Sequence, residues 1–131
     1  ESRREAGRYR RQRAGKEYSL KKVEAVIRPD KVPVVRKALQ DIGLPGVTLT
    51  QVAGHGQQGG ITQQWKGNTY TVDILTKVKL EIVIPDMLLE RVLEVISDAA
   101  RTGEIGDGKI WVTTVDQVVR VRTGERGEGA V

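Results

Sequence analysis

Three glycines and a lysine stand close together in Arg101-Thr102-Gly103-Glu104-Ile105-Gly106-Asp107-Gly108-Lys109, a combination suited to holding an anion. Glycine permits positive φ and lets a ligand approach main-chain N–H groups closely, and a lysine at the rim adds a mobile point charge for phosphate. The span from Gly103 to Lys109 satisfies G-x-x-x-x-G-K, but Ile110 follows where a Walker A loop requires the Ser or Thr that holds Mg2+. The order of elements is inverted as well, because a helix-like run precedes the loop and a strand-like run follows it. The Walker reading therefore fails. Spacing alone leaves two readings open: an anion cradle, or a glycine-rich helix stop with Gly103 as a left-handed cap after Arg101.

Other catalytic groups are scarce. The chain has no cysteine and one histidine, so thiolate chemistry and disulfides are unavailable, and a zinc site or His-based triad is not expected. His55, alone among glycines, is read as a loop-packing residue and not a catalyst. At 131 residues the chain is one domain's worth, and no apolar run approaches the roughly 20 residues that span a bilayer. It opens with Glu1 and not Met, which is expected of a processed or recombinant form.

The net charge is +5, and residues 1–17 hold seven basic side chains against three acidic ones, so +4 of it sits there. The basicity thus belongs to a tail and not to a folded face. Residues 1–19 lack apolar periodicity and are expected to form a disordered extension. That arm reads either as a nucleic-acid or membrane-surface arm or as a solvated leader; a transit peptide would be poorer in acids and richer in serine.

The elements that must position the loop follow in order from Leu20. Val23, Ala25 and Ile27 alternate with Lys22, Glu24 and Arg28, as in a half-buried strand, until Pro29-Asp30. Val32, Val35, Leu39 and Ile42 then recur at helical spacing, with Pro33 tolerable in a first turn and Gly43 placed as a C-terminal cap. A β-branched run, Val47 to Val52, follows. The second half repeats this grammar: Val78, Leu80, Ile82 and Ile84 alternate before Pro85-Asp86, and Leu89, Val92, Leu93 and Ile96 form a helical stripe that Asp86 is expected to cap. Ile110, Val112 and Thr114 alternate once more. This α+β pattern predicts a ferredoxin-like split βαβ (βαββαβ), an antiparallel sheet with both helices on one face. The other face is expected to be covered by further copies of the chain. Between Ala53 and Thr76 lie about 20 residues without periodicity, a length usually functional or disordered. Glycines at its base suit either backbone approach to a ligand or a hairpin hinge, and Trp65 and Tyr70 near its tip are costly to expose without a partner.

From Leu20 to the C-terminus the sequence resembles the PII nitrogen-regulatory signal-transduction proteins. The matching pieces are Lys22-Val23-Glu24-Ala25, Gly54-x-Gly56-x-Gln58, Arg101 to Ile110, and Val119-Arg120-Val121-Arg122-Thr123-Gly124-Glu125-Arg126-Gly127-Glu128. The resemblance implies a homotrimer binding ATP or ADP between subunits and sensing 2-oxoglutarate through ATP-bound Mg2+. It implies no catalysis; a long T-loop, here about 56–75, docks onto an ammonium transporter or onto metabolic or modifying enzymes. It places ATP or ADP at Val26, Thr48, Gly54, Gly56, Gln58, Val83, Thr102, Gly103, Gly106, Asp107, Gly108 and Lys109, with Arg120 and Arg122 from the C-terminal loop 120–131. It places 2-oxoglutarate at Gln58, Lys77 and Gly106, Mg2+ at Gln58, and a candidate nucleotidylation site at Tyr70. The implied compartment is the cytoplasm, or the plastid stroma in a plant or alga.

Some positions depart from the family pattern. Gln57 and Gly59 stand where Arg and Lys are common, so two positive charges are missing, and the Gln-Gly-Gly form resembles plant-type members. Asn68 excludes the serine phosphorylation of some cyanobacterial members. Asp30 replaces a Phe at a position tied to docking of acetylglutamate kinase. Two other classes compete. An RNA-binding ferredoxin-like module would stack bases on aromatic strand residues, yet the strands offer mainly Trp111 and the chain has no Phe. A nucleotide-hydrolysing enzyme would need a general base, for which the loop offers only Asp107 and Glu104.

Overall fold

The computed structural model describes residues 19–55, 61–65, 68–72 and 74–131; the basic extension before Ser19 lies outside them. Strand β1 (Leu20–Ile27) ends at a 3-10 turn opened by Pro29, and helix α1 (Val32–Asp41) carries Pro33 in its first turn, where a missing N–H costs no helical bond. Gly43, at φ 85°, closes α1: its N–H donates to the Gln40 carbonyl at 2.9 Å, and Leu44 N–H donates to Leu39 O at 2.9 Å. These two bonds make a Schellman stop, which needs the left-handed residue that glycine supplies.

Strand β2 (Thr48–His55) follows, then β3 (Ile61–Trp65), β4 (Asn68–Val72) and the long β5 (Ile74–Pro85). Helix α2 (Leu89–Ala100) and strand β6 (Gly108–Val115) complete the set, with a short 3-10 turn at Gly127–Ala130. The four long strands form one antiparallel sheet in the order β2-β5-β1-β6, the ferredoxin-like arrangement that the repeated half predicted. None of the helices among the described residues is long and apolar enough to cross a membrane.

One face of the sheet buries Val23, Ala25 and Ile27 of β1 against Leu80, Ile82 and Ile84 of β5. Val35 and Leu39 from α1, and Val92, Ile96 and Ala100 from α2, close this core. Each of the valines, leucines and isoleucines contributes about 1.5–3 kcal/mol on full burial, so both helices are held to the same face. The alternate residues point the other way and carry charge. Lys22 Nζ lies 2.8 Å from Glu24 Oε1, and Lys79 Nζ lies 3.6 Å from Glu81 and 3.9 Å from Glu24. The Lys22 ammonium holds the Glu24 carboxyl below its usual range. Trp111, 41 % exposed, stands beside Glu24 across the β1–β6 ladder.

Two expectations change. Asp86 does not cap α2: a 3-10 turn (Asp86–Leu88) intervenes, no side chain caps the helix start, and Asp86 N–H donates instead to Ser19 O at 2.8 Å. Its carboxylate lies 3.9 Å from Lys21. The stretch between β2 and β5 is also not without structure. β3 and β4 pair as a two-stranded sheet, Ile61 opposite Val72 and Trp65 opposite Asn68, while β2 and β5 extend to the His55–Ile74 pair. Gln63 and Gln64 break the apolar alternation that would have marked β3, so the pairing could not be read from either segment alone.

Candidate functional site

The glycine loop leaves α2 at Arg101, whose N–H makes the last helical bond, to Ser97 O at 3.1 Å. Arg101 is already extended, and Gly103, although at φ 88°, does not return its N–H to the helix. The helix-cap reading of Gly103 therefore does not hold. The organising group is the Asp107 carboxylate. Its Oδ2 accepts the N–H groups of Thr102 at 2.8 Å and Gly103 at 2.9 Å. Its Oδ1 accepts the Thr102 hydroxyl and, at 3.1 Å, Arg28 Nε. The Thr102 oxygen in turn accepts Glu104 N–H at 3.1 Å. With these donors in place the carboxyl is strongly acidified, first by the Thr102 hydroxyl and main-chain N–H and then by Gly103 and Arg28.

This acidity has a measurable consequence. A carboxyl whose folded value is depressed stabilises the fold above its unfolded value, near pH 4, and that contribution is lost as pH falls further. Asp107→Asn is expected to lower the unfolding midpoint at neutral pH and to show a shallower acid limb below about pH 4; identical slopes for the two proteins would remove Asp107 from the account.

Two cations reach the far side of the loop from neighbouring strand ends. Arg28, just after β1, donates from Nη2 to Ile105 O at 2.9 Å, and Lys77, near the start of β5, donates to Gly106 O at 2.5 Å. Lys77 is buried, and its pKa is lowered first by that burial and then by the nearby Arg28 charge. The N–H groups of Gly106 and Asp107 have no acceptor among the described residues, and Gly106 has φ 101°. Gly108, φ 105°, packs directly on β1: a Cβ there would overlap the Val26 carbonyl oxygen. A donor set of two N–H groups without an acceptor among the described residues, with the exposed Lys109 close in sequence, fits a phosphate.

The chain thus brings together Thr102, Gly103, Gly106, Asp107, Gly108 and Lys109, with Val26 opposite Lys109 on the ladder and Lys77 beneath Gly106. Val83 pairs with Lys22, four rungs from Val26 and Lys79, or about 13 Å along the strand. Thr48 and Gly54 lie in β2, at the two ends of its ladder with β5. Arg120 is engaged in its own segment, with its guanidinium 3.4 Å from Glu125 and its N–H on Glu125 O at 2.8 Å. Among the described residues neither it nor the exposed Arg122 bonds to the glycine loop. Gly56 and Gln58 lie outside the described residues, and no cluster of His, Cys, Asp and Glu among the described residues could hold a metal. Tyr70 lies in β4 opposite Gln63. Arg28, which ties the glycine loop to the end of β1, was not among the expected site residues. Its one signal was a basic side chain set immediately before the proline that ends β1.

Sheet, helices and loop define a ferredoxin-like domain with the glycine loop held at one end of its sheet. A family model described as Nitrogen regulatory protein P-II matches residues 20–125, and the chain belongs to that family. It is 51% identical over 112 residues to the nitrogen regulatory proteins P-II of Azospirillum brasilense and Rhodospirillum rubrum, across 86% of this chain and 100% of each relative. A crystal structure of Arabidopsis thaliana PII bound to citrate aligns with a TM-score of 0.72 at 44% identity, covering 86% of this chain and 92% of that one.

Proposed function

We propose that this protein is a signal-transduction regulator of nitrogen and carbon metabolism that binds ATP or ADP at the glycine loop. 2-Oxoglutarate joins through Mg2+ held on ATP, and the 56–75 segment acts on an ammonium transporter or a regulated enzyme. The observation that carries this reading is a glycine loop already shaped around Asp107, whose Gly106 and Asp107 N–H groups have no acceptor among the described residues, with Lys109 exposed next in sequence to Gly108. Family membership supports it, as does a relative described with a bound citrate, itself a carboxylate anion.

The active form in this reading is a homotrimer, supported by the charged sheet face and exposed Trp111 that the helices leave uncovered. Arg120 and Arg122 then reach the nucleotide of a neighbouring subunit, for which their separation from the loop within one chain leaves room. The protein acts as a regulator and not as a hydrolase. Asp107 is spent on loop donors and is far more acidic than a general base working near neutral pH should be. Its compartment is the cytoplasm, or the plastid stroma in a plant or alga.

Titration calorimetry tests this directly. ATP and ADP are expected to bind in the absence of any protein partner, and Lys109→Ala to weaken binding about ten- to a hundredfold, the cost of a charge-assisted phosphate contact. 2-Oxoglutarate is expected to bind only with Mg2+ and ATP present, because the triphosphate, the keto acid and the Gln58 amide oxygen together supply the oxygen coordination magnesium prefers. No heat with millimolar ATP would overturn the nucleotide reading; tight 2-oxoglutarate binding in EDTA, or to Gln58→Ala, would overturn the metal bridge.

A further inference from the structure

We propose that Arg28 is the positioning residue that aims the loop's N–H donors outward before any ligand arrives. Its guanidinium fork spans two residues, donating from Nε to Asp107 Oδ1 at 3.1 Å and from Nη2 to Ile105 O at 2.9 Å. Between those anchors sits Gly106, whose own carbonyl is held by Lys77. In a planar trans peptide the C=O of one residue and the N–H of the next point in opposite directions. Turning the Ile105 carbonyl toward Arg28 therefore turns the Gly106 N–H away from it, and turning the Gly106 carbonyl toward Lys77 does the same for the Asp107 N–H. Cations beneath the loop thus set the direction of both donors that a phosphate would meet.

Arg28 is suited to this task in a way Lys77 is not. A planar fork fixes two acceptors in a set relative geometry, whereas an ammonium acts as a point charge. Arg28 also secures the loop's other half, because the carboxylate it grips is the one that gathers the Thr102 and Gly103 N–H groups. Without it, the 105–106 peptide keeps no bond among the described residues that prevents a flip, and glycine at position 106 offers little steric resistance to one. The side chain is mostly shielded, 19% exposed, so the fork works with reduced competition from water.

This inference rests on the nucleotide reading for its ligand but not for its test. In the ligand-free protein, amide relaxation should give Gly106 and Asp107 order parameters near about 0.85, falling below about 0.6 in Arg28→Gln while the strands stay rigid. In calorimetry the same variant should bind ATP about tenfold more weakly. Arg28→Lys should recover part of both losses, since one acceptor can still be reached. Asp107→Ala, which removes the partner of Nε, should reproduce the loosening, and Arg28→Gln should add little to it in the double variant. If the loop amides stay ordered in Arg28→Gln, the proposal fails, whether or not ATP binds. It also fails if affinity drops while order is kept, because Arg28 would then touch the ligand itself, or if order drops while affinity is kept. A wild-type protein that ignores ATP but whose loop loosens in Arg28→Gln sinks the nucleotide reading and leaves the clamp standing.

Discussion

Gly108→Ala is expected to cost about 2–4 kcal/mol of unfolding free energy, more than the same change at Gly103, because strain and overlap act together there. At φ 105° an L side chain is strained wherever it sits. The added Cβ would moreover overlap Val26 O and lie 2.9 Å from Val26 C and 3.3 Å from Ile27 Cα. Those atoms are backbone of β1, an inner strand of the sheet, and cannot swing aside as a side-chain end would. Relief requires β6 to lift from β1 where Gly108 faces Ile27, which also displaces the cradle. Gly103→Ala is the control: its φ is 88°, but nothing lies within 4 Å of the new Cβ, so only the conformational cost of about 1–2 kcal/mol remains. Urea denaturation of the two variants checks the difference. Equal losses would mean that the close approach to Val26 is not what demands glycine.

Replacing residues 61–72 with a short Gly-Ser linker is expected to abolish capture of the target protein while leaving ATP affinity and the unfolding midpoint nearly unchanged. The hairpin forms its own sheet, separate from the four-stranded one, and a lone two-stranded ribbon contributes little stability in water. Lys77, Arg28 and the glycine loop lie outside the excised span and keep their contacts. Pull-down with wild type and variant, alongside calorimetry on both, separates the two roles. A variant that still holds its target would end the assignment of docking to this segment, and one that loses ATP would show that the hairpin builds part of the cradle.

The framework was legible because it rests on periodicity. Val23, Ala25 and Ile27, like Leu80, Ile82 and Ile84, recur every second residue because one side of their strands is buried and the other is not. The prolines at 29 and 85 mark where each strand ends, and Gly43 marks the end of α1. The cradle was visible as a run of glycines, and the four matching segments pointed to the family. What holds the cradle was not visible. Arg28 and Asp107 are 79 residues apart, and no local pattern records a contact at that distance. Arg28 looked like one more outward charge in the alternation of β1. Asp86 misled for the opposite reason: its type and place suit a cap, but the chain inserts a 3-10 turn first. The β3–β4 ribbon escaped because its glutamines and threonines carry no apolar period.

β5 is the longest strand among the described residues, at 12 residues, and it serves two ends at once. Its first residue, Ile74, is the foot on which the hairpin returns to the main sheet, and Lys77, which grips the glycine loop, comes three residues later. Three residues of strand are about 10 Å. The two places are thus joined by a single stiff rod, without an intervening joint, whose inner portion, Leu80, Ile82 and Ile84, is anchored in the core. A push at Lys77 acts on the part of that beam where β5 pairs with β2 alone, beyond the last β1 rung at Val78, and the end of that part is where the hairpin returns.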